Sequence, residues 1–203
     1  MAGERRAALR VIEEGLAAGV AVPALYLEVI QAAQYRIGEL WQRNRISVAQ
    51  EHVATAISQL AVAELYRALP CEPHCGRTAL VACVGGEQHE LGTRITADFF
   101  EMAGFEVRYL GADVPTDSLV AMVREDPPDL LVLSVTMSFH LDTLRDAVLR
   151  AREAAGDRLH LAVGGQAFGW APGLAGQLGA AIYGHDAPES VALAQRLLPA
   201  ERK

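Results

Sequence analysis

Glu87 and His89 stand two residues apart in Gly85-Gly86-Glu87-Gln88-His89-Glu90-Leu91-Gly92, directly after the apolar run Ala79-Leu80-Val81-Ala82-Cys83-Val84. A neutral imidazole is a good ligand for a borderline metal ion. A carboxylate at this spacing can take the ring's other N–H, fixing its tautomer and raising its basicity. The competing reading is an ordinary solvated loop histidine. A second set lies earlier: Trp41, then nine residues on the adjacent pair Glu51-His52. By helical spacing Val48, Glu51, His52 and Thr55 share one face, so a flat aromatic, a small apolar group and a hydrogen-bonding pair could converge on one ligand. Here the alternative is an interhelical tryptophan in a core, with Glu51 and His52 at its surface. A third set is polar and bare. The hydroxyls of Ser134, Thr136 and Ser138 can bond a buried ring nitrogen, and Gly164-Gly165 lets a planar group lie against backbone.

These residues need elements to hold them. Before residue 77 the periodicity is helical: Leu9, Ile12 and Leu16 line a first helix, and Pro23 opens a pattern running through Tyr26, Val29, Ile30, Ala33, Ile37, Leu40 and Trp41. That second pattern is one helix, or two broken near Gln31-Ala32. Ser47-Val48-Ala49-Gln50 reads as a capping box, starting a further helix that ends at Pro70, with Val53, Ile57, Leu60 and Leu65 as its core stripe. From Thr78 onward, strands expected near 78–84, 106–110, 129–134, 159–163 and 180–183 alternate with helices near 91–104, 116–125, 140–154, 171–178 and 187–198. The expected architecture is therefore α plus α/β: a helical bundle over residues 1–76, then a flavodoxin- or Rossmann-like doubly wound five-stranded parallel sheet over 77–203. The ligand should sit at the carboxyl ends of the strands. The first strand is not followed by GxGxxG, which argues against a dinucleotide site.

Composition excludes several classes. With 203 residues, 51% of them hydrophobic, the chain can bury a substantial core. A net charge of -7 without a Lys/Arg block argues against a nucleic-acid surface. No apolar stretch reaches the length of a membrane span, and Met1-Ala2-Gly3-Glu4-Arg5-Arg6 lacks a signal-peptide core, so a cytoplasmic protein is expected. Three cysteines (Cys71, Cys75 and Cys83) fit a reducing compartment. Cys71-Glu72-Pro73-His74-Cys75 superficially looks like a metal site. Its ligands are crowded into five residues around a proline, and the segment reads as a linker.

Glu87-x-His89-x-x-Gly92 resembles the E/DxHxxG signature of cobalamin-binding domains. Tyr109-Leu110-Gly111-Ala112-Asp113-Val114-Pro115, the Ser134–Ser138 segment and Gly164-Gly165 follow in the family's order. The resemblance implies that His89 ligates cobalt from below, displacing the cofactor's own dimethylbenzimidazole, and that the bundle caps the upper face. Trp41 with Glu51-His52 is similar to the Wx9EH pattern of CarH-type adenosylcobalamin photoreceptors. That resemblance, covering nearly the whole chain, implies adenosylcobalamin as the dark-state cofactor and a light-sensing role with no catalytic residue.

Two departures matter. CarH-type regulators carry a DNA-binding domain ahead of the bundle, whereas this sequence begins at the first helix. Output is then expected through self-association, as a homo-oligomer, or through an unidentified signalling partner. Stand-alone relatives called photocobilins bind a bilin beside cobalamin, so a second chromophore stays open. The second departure is Gln42, which stands where those photoreceptors have a histidine that takes the upper cobalt position after photolysis. The alternative from another class is a corrinoid methyl carrier serving a methyltransferase.

Overall fold

In the computed structural model, which describes residues 4–171 and 173–200, the chain separates at Pro70/Cys71 into two compact units. The division falls a few residues ahead of the expected boundary. No described helix is long and apolar enough to cross a membrane.

The first unit is helical throughout. Helix α1 (Arg5–Ala17) is followed by a short α2 (Val22–Ala24), a π-helical stretch Leu25–Gln31, and α3 (Ala32–Gln42). Gln31 and Ala32 keep right-handed helical dihedrals, so the pattern opened by Pro23 is one helix with wide turns and has no break there. Ile12, Val22, Leu25, Tyr26 and Ile30 are buried from this half. Gly15 allows the close approach, since a Cβ there would lie 2.8 Å from Leu25 Cδ2.

Helix α3 ends in a Schellman turn. Asn44 is left-handed (φ 53°), its N–H reaches Trp41 O at 2.9 Å, and Arg45 N reaches Leu40 O at 2.8 Å. Helix α4 (Val48–Tyr66) starts four residues later at the expected capping box, in which Ser47 and Gln50 satisfy each other's backbone N–H. The expected stripe on α4 needs correction. The buried residues are Ser58, Ala61, Val62 and Leu65, while Val53 is exposed and Ile57 and Leu60 are half-buried. Apolar side chains lie all round this helix, so hydrophobicity alone did not pick the face.

The second unit holds a parallel sheet ordered β2-β1-β3-β4, from β1 (Thr78–Val84), β2 (Glu106–Val114), β3 (Leu130–Ser134) and β4 (His160–Gly164). Helices α5 (Leu91–Met102), α6 (Thr116–Glu125), α7 (Leu141–Ala155) and α10 (Ala187–Leu197) connect and cover it; α5 packs with α10, and α6 with α7. Strands β1 and β3 are nearly continuous buried apolar runs, as a sheet covered on both faces requires. The fold is the expected Rossmann-like one, with four strands and not five. Residues 180–183 contribute a single bridge, Ala162 to Ile182, before the chain turns at Gly184 into the Asp186-capped α10. The helix expected near 171–178 is the shorter α9 (Leu174–Gln177), and a further short helix, α8 (Ala167–Trp170), precedes it.

The strand order reverses between β1 and β3. The carboxyl ends of the two strands flanking such a reversal are the usual ligand position in sheets of this kind. Register places Cys83, Ser134 and Gly164 in one row at that edge.

Candidate functional site

Glu87 is the buried centre of the carboxyl edge. Its side chain is fully enclosed, unusual for a carboxylate, and both oxygens are occupied. Oε1 accepts from the backbone N–H of His89 at 3.0 Å and faces His89 Nδ1 at 2.5 Å. Oε2 accepts from the backbone N–H groups of Thr136 and Met137 at 2.8 and 2.9 Å. One carboxylate thus pins the loop after β1 to the loop after β3. Burial would raise its pKa, but the hydrogen bonds from His89, Met137 and Thr136 outweigh that and hold it down at about 2. The carboxylate stays charged and therefore accepts a hydrogen bond from His89 Nδ1–H. That leaves Nε2 as the ring nitrogen free of Glu87, on a side chain that is 53% exposed.

The tip of β2 supports the same loop. Register slips twice between β1 and β2, and Gly111 (φ 82°) and Asp113 (φ 52°) take left-handed conformations in the bulged stretch. Asp113 is thereby aimed back at the β1 loop. Its Oδ1 accepts from Gly86 N at 2.6 Å, and its own N–H donates to Glu87 O at 2.9 Å. Gly86 (φ 85°) is packed on its other side by His140, whose Cε1 would lie 2.6 Å from a Cβ. Asp113→Ala should lower stability by about 1–2 kcal/mol in denaturant titration, from the lost charge-assisted bond and a left-handed position less suited to alanine. Asp113→Asn should cost less, because asparagine keeps an acceptor and tolerates that conformation.

Other groups near His89 are structural. Cys83 Sγ lies 3.1 Å from Thr93 Oγ1, and burial pushes its thiol up to about 11, which keeps it neutral. Tyr109 Oη donates to Glu90 Oε2 at 3.0 Å, and burial followed by the Glu90 charge raises its pKa. No group of three or more His, Cys, Asp or Glu able to hold a metal ion occurs among the described residues.

The remaining residues singled out from sequence sort clearly. Ser134 and Thr136 are half-buried and Ser138 is exposed, following one another along the β3 edge and loop. Gly92, in the first turn of α5, and Gly164 have nothing within 4 Å of where a Cβ would stand, leaving bare backbone. Gly165 has a different reason to be glycine. At φ 103° its Cβ would fall 2.1 Å from Val135 O, so the β3 loop itself demands it. In the bundle, Trp41 and Val48 are exposed by 38% and 50% and are not core residues. Glu51 binds both neighbours on its face: Thr55 Oγ1 donates to Oε1 and His52 Nδ1 meets Oε2, each at 2.6 Å.

Sequence reading missed Asp113 as a support of the His89 loop, and it missed Gln34, which joins the Glu51 cluster from α3 at Thr55. Asp113-Val114-Pro115 at a strand end was the available signal for the first. For the second there was none, since Gln34 and Thr55 lie on different helices.

Residues 77–192 match the B12 binding domain family, and residues 1–66 match a second B12 binding domain model. The chain is 32% identical over 157 residues to the HTH-type transcriptional repressor CarH of Myxococcus xanthus, spanning 77% of this chain and only 52% of that protein. It is 28% identical over 193 residues to dimethylamine corrinoid protein 2 of Methanosarcina acetivorans, spanning 93% of this chain and 81% of the relative. The structure of the Methanosarcina barkeri monomethylamine corrinoid protein superposes with a TM-score of 0.82 over 95% of both chains at 20% identity, a likeness of fold. With the Glu87–His89 pair at the switch point of the sheet and a family match over more than half its length, the chain belongs to the B12-binding domain family.

Proposed function

We propose that the chain is a light-sensing cobalamin module that holds adenosylcobalamin in the dark. Cobalamin binding follows from the family; the adenosyl form and the sensing role are our reading. When bound, adenosylcobalamin supplies a cobalt–carbon bond that visible light cleaves. His89 ligates cobalt through Nε2, with Glu87 holding Nδ1, and Ser134, Thr136, Ser138, Gly92, Gly164 and Gly165 form the bare and hydroxyl-bearing edge for the rest of the cofactor. In this reading the bundle is the cap, where Trp41 and Val48 cover the adenosyl group and Glu51 and His52 meet its polar atoms. Loss of that group would remove what the cap is packed upon, a ligand-biased rearrangement that a second copy or a signalling partner could read.

The observation that supports this reading is the exposed Trp41 and Val48 beside a tightly bonded Glu51–His52 pair. Apolar groups left out of the core next to ordered polar groups are what a ligand cap requires. A second reading, a corrinoid methyl carrier, is favoured by the longer coverage of the dimethylamine corrinoid proteins. Such a carrier presents its upper face to a methyltransferase and has less use for an aromatic lid.

Trp41→Ala separates the two. Titration of the cofactor-free protein should show adenosylcobalamin weakened by about tenfold, the scale of a buried aromatic contact of 1–2 kcal/mol, with methylcobalamin little changed. Equal weakening of both would assign Trp41 to the bundle alone. Illumination of the adenosylcobalamin-loaded wild type should change its absorption spectrum and its elution volume in size-exclusion chromatography; a spectral change with no change in assembly or partner binding would favour the carrier.

A further inference from the structure

Among the described residues, Gln34 Oε1 is the one buried side-chain oxygen or nitrogen without a hydrogen-bond partner. The other end of that amide is engaged. Gln34 Nε2 donates to Thr55 Oγ1 at 2.9 Å, Thr55 Oγ1 donates to Glu51 Oε1 at 2.6 Å, and Glu51 Oε2 meets His52 Nδ1 at 2.6 Å. The direction of every bond is forced. A carboxylate accepts, so Thr55 must give it the hydroxyl proton, and the hydroxyl oxygen then takes its own proton from the amide nitrogen. Turning the amide over would set its carbonyl against an oxygen whose only proton is already committed. The unpaired Gln34 Oε1 is therefore imposed by the chain of bonds, and an unpaired buried acceptor is costly enough to be rare. At the far end, the nitrogen facing Glu51 carries the proton, so a neutral His52 keeps its lone pair on Nε2. The His52 side chain is 74% exposed and that of Glu51 26%. Trp41 lies two turns from Gln34 on the same face of α3.

We propose that Gln34 and Thr55 are positioning residues that fix Glu51 and lock His52 in its Nδ1–H tautomer. The His52 Nε2 lone pair is then the acceptor this turn of the bundle offers, and it selects an upper group carrying hydrogen-bond donors, such as nucleoside hydroxyls, over a methyl group. The selection rests on the adenosyl reading above; the positioning does not. The arrangement repeats the logic of Glu87 and His89 in the other unit, where a carboxylate also holds Nδ1 and leaves Nε2 as the working nitrogen.

The test begins without cofactor. A long-range proton–nitrogen spectrum of the labelled full chain, recorded near pH 8, should show the neutral His52 ring as a single Nδ1–H tautomer. His52→Gln identifies the signal by its loss. Thr55→Val should move that signal toward a mixture of tautomers, and Thr55→Ser should restore it. Gln34→Leu gives an independent arm. By removing the orphaned acceptor it should raise the melting temperature while still loosening the His52 tautomer, a combination that a merely structural role would not produce. An unchanged single tautomer in both Thr55→Val and Gln34→Leu overturns the positioning role. For selection, Gln34→Leu and Thr55→Val should each shrink the preference for adenosylcobalamin over methylcobalamin by about fivefold, the worth of one hydrogen bond. A preserved ratio with a loosened tautomer overturns selection alone, and a wild type with no such preference overturns the adenosyl reading while the tautomer result still decides the positioning.

Discussion

His89→Ala is expected to remove the lower imidazole ligand while leaving the fold intact. The ring is half exposed and contributes little to the core, and the backbone N–H of residue 89 still reaches Glu87 in the variant. Loss of a partner that merely supports a ligating histidine weakens metal binding by about 10–100-fold, so loss of the ligand itself should weaken cobalamin by at least about 100-fold. In the reduced, paramagnetic cobalt state, the electron paramagnetic resonance spectrum of the wild type should carry hyperfine splitting from a protein imidazole nitrogen. The variant should lose it, and its absorption spectrum should revert to the form set by solvent or by the cofactor's own base. A variant that keeps the same nitrogen splitting would show that another residue ligates cobalt.

That prediction could be framed from sequence because its residues are local. Glu87, His89 and Gly92 lie within six positions after a strand, so their spacing already dictates which can meet. The capping box at Ser47 and the left-to-right alternation of strands and helices were legible for the same reason. What was not legible is long-range. Nothing in the sequence says that Glu87 reaches the N–H groups of Thr136 and Met137, about fifty residues on, or that a bulge re-aims Asp113 at Gly86. The α4 stripe failed differently: apolar groups lie all round the helix, so their spacing did not mark out the face on which Ser58, Ala61, Val62 and Leu65 are buried. The fifth strand failed because one bridge at Ile182 is all that the short run before Gly184 sustains. Gly165 was read as room for a ligand, although its first duty is to let Val135 O approach.

Glu87 should control stability as well as ligation, and the sign follows from its pKa. The folded state holds this carboxyl at about 2, down from an ordinary 4.5, because it favours the charged form. A depressed pKa contributes stability that is fully present above the unfolded value and is lost as pH falls through the folded one. The window is thus from about 4.5 down to about 2, and the shift corresponds to a few kcal/mol, about 3 at neutral pH. Urea unfolding of the cofactor-free wild type should therefore steepen its loss of stability across that window. Glu87→Gln should be about 3 kcal/mol less stable near pH 7, with the difference between the two proteins closing toward pH 2. A constant difference at all pH values would mean that packing of the side chain, and not its charge, ties the two loops together. Because the same four N–H contacts that stabilise the carboxylate also fix His89, the variant should bind cobalamin about 10–100-fold more weakly even where it is fully folded. Stability of the sheet edge and basicity of the His89 ring are one property here, since a single buried charge supplies both.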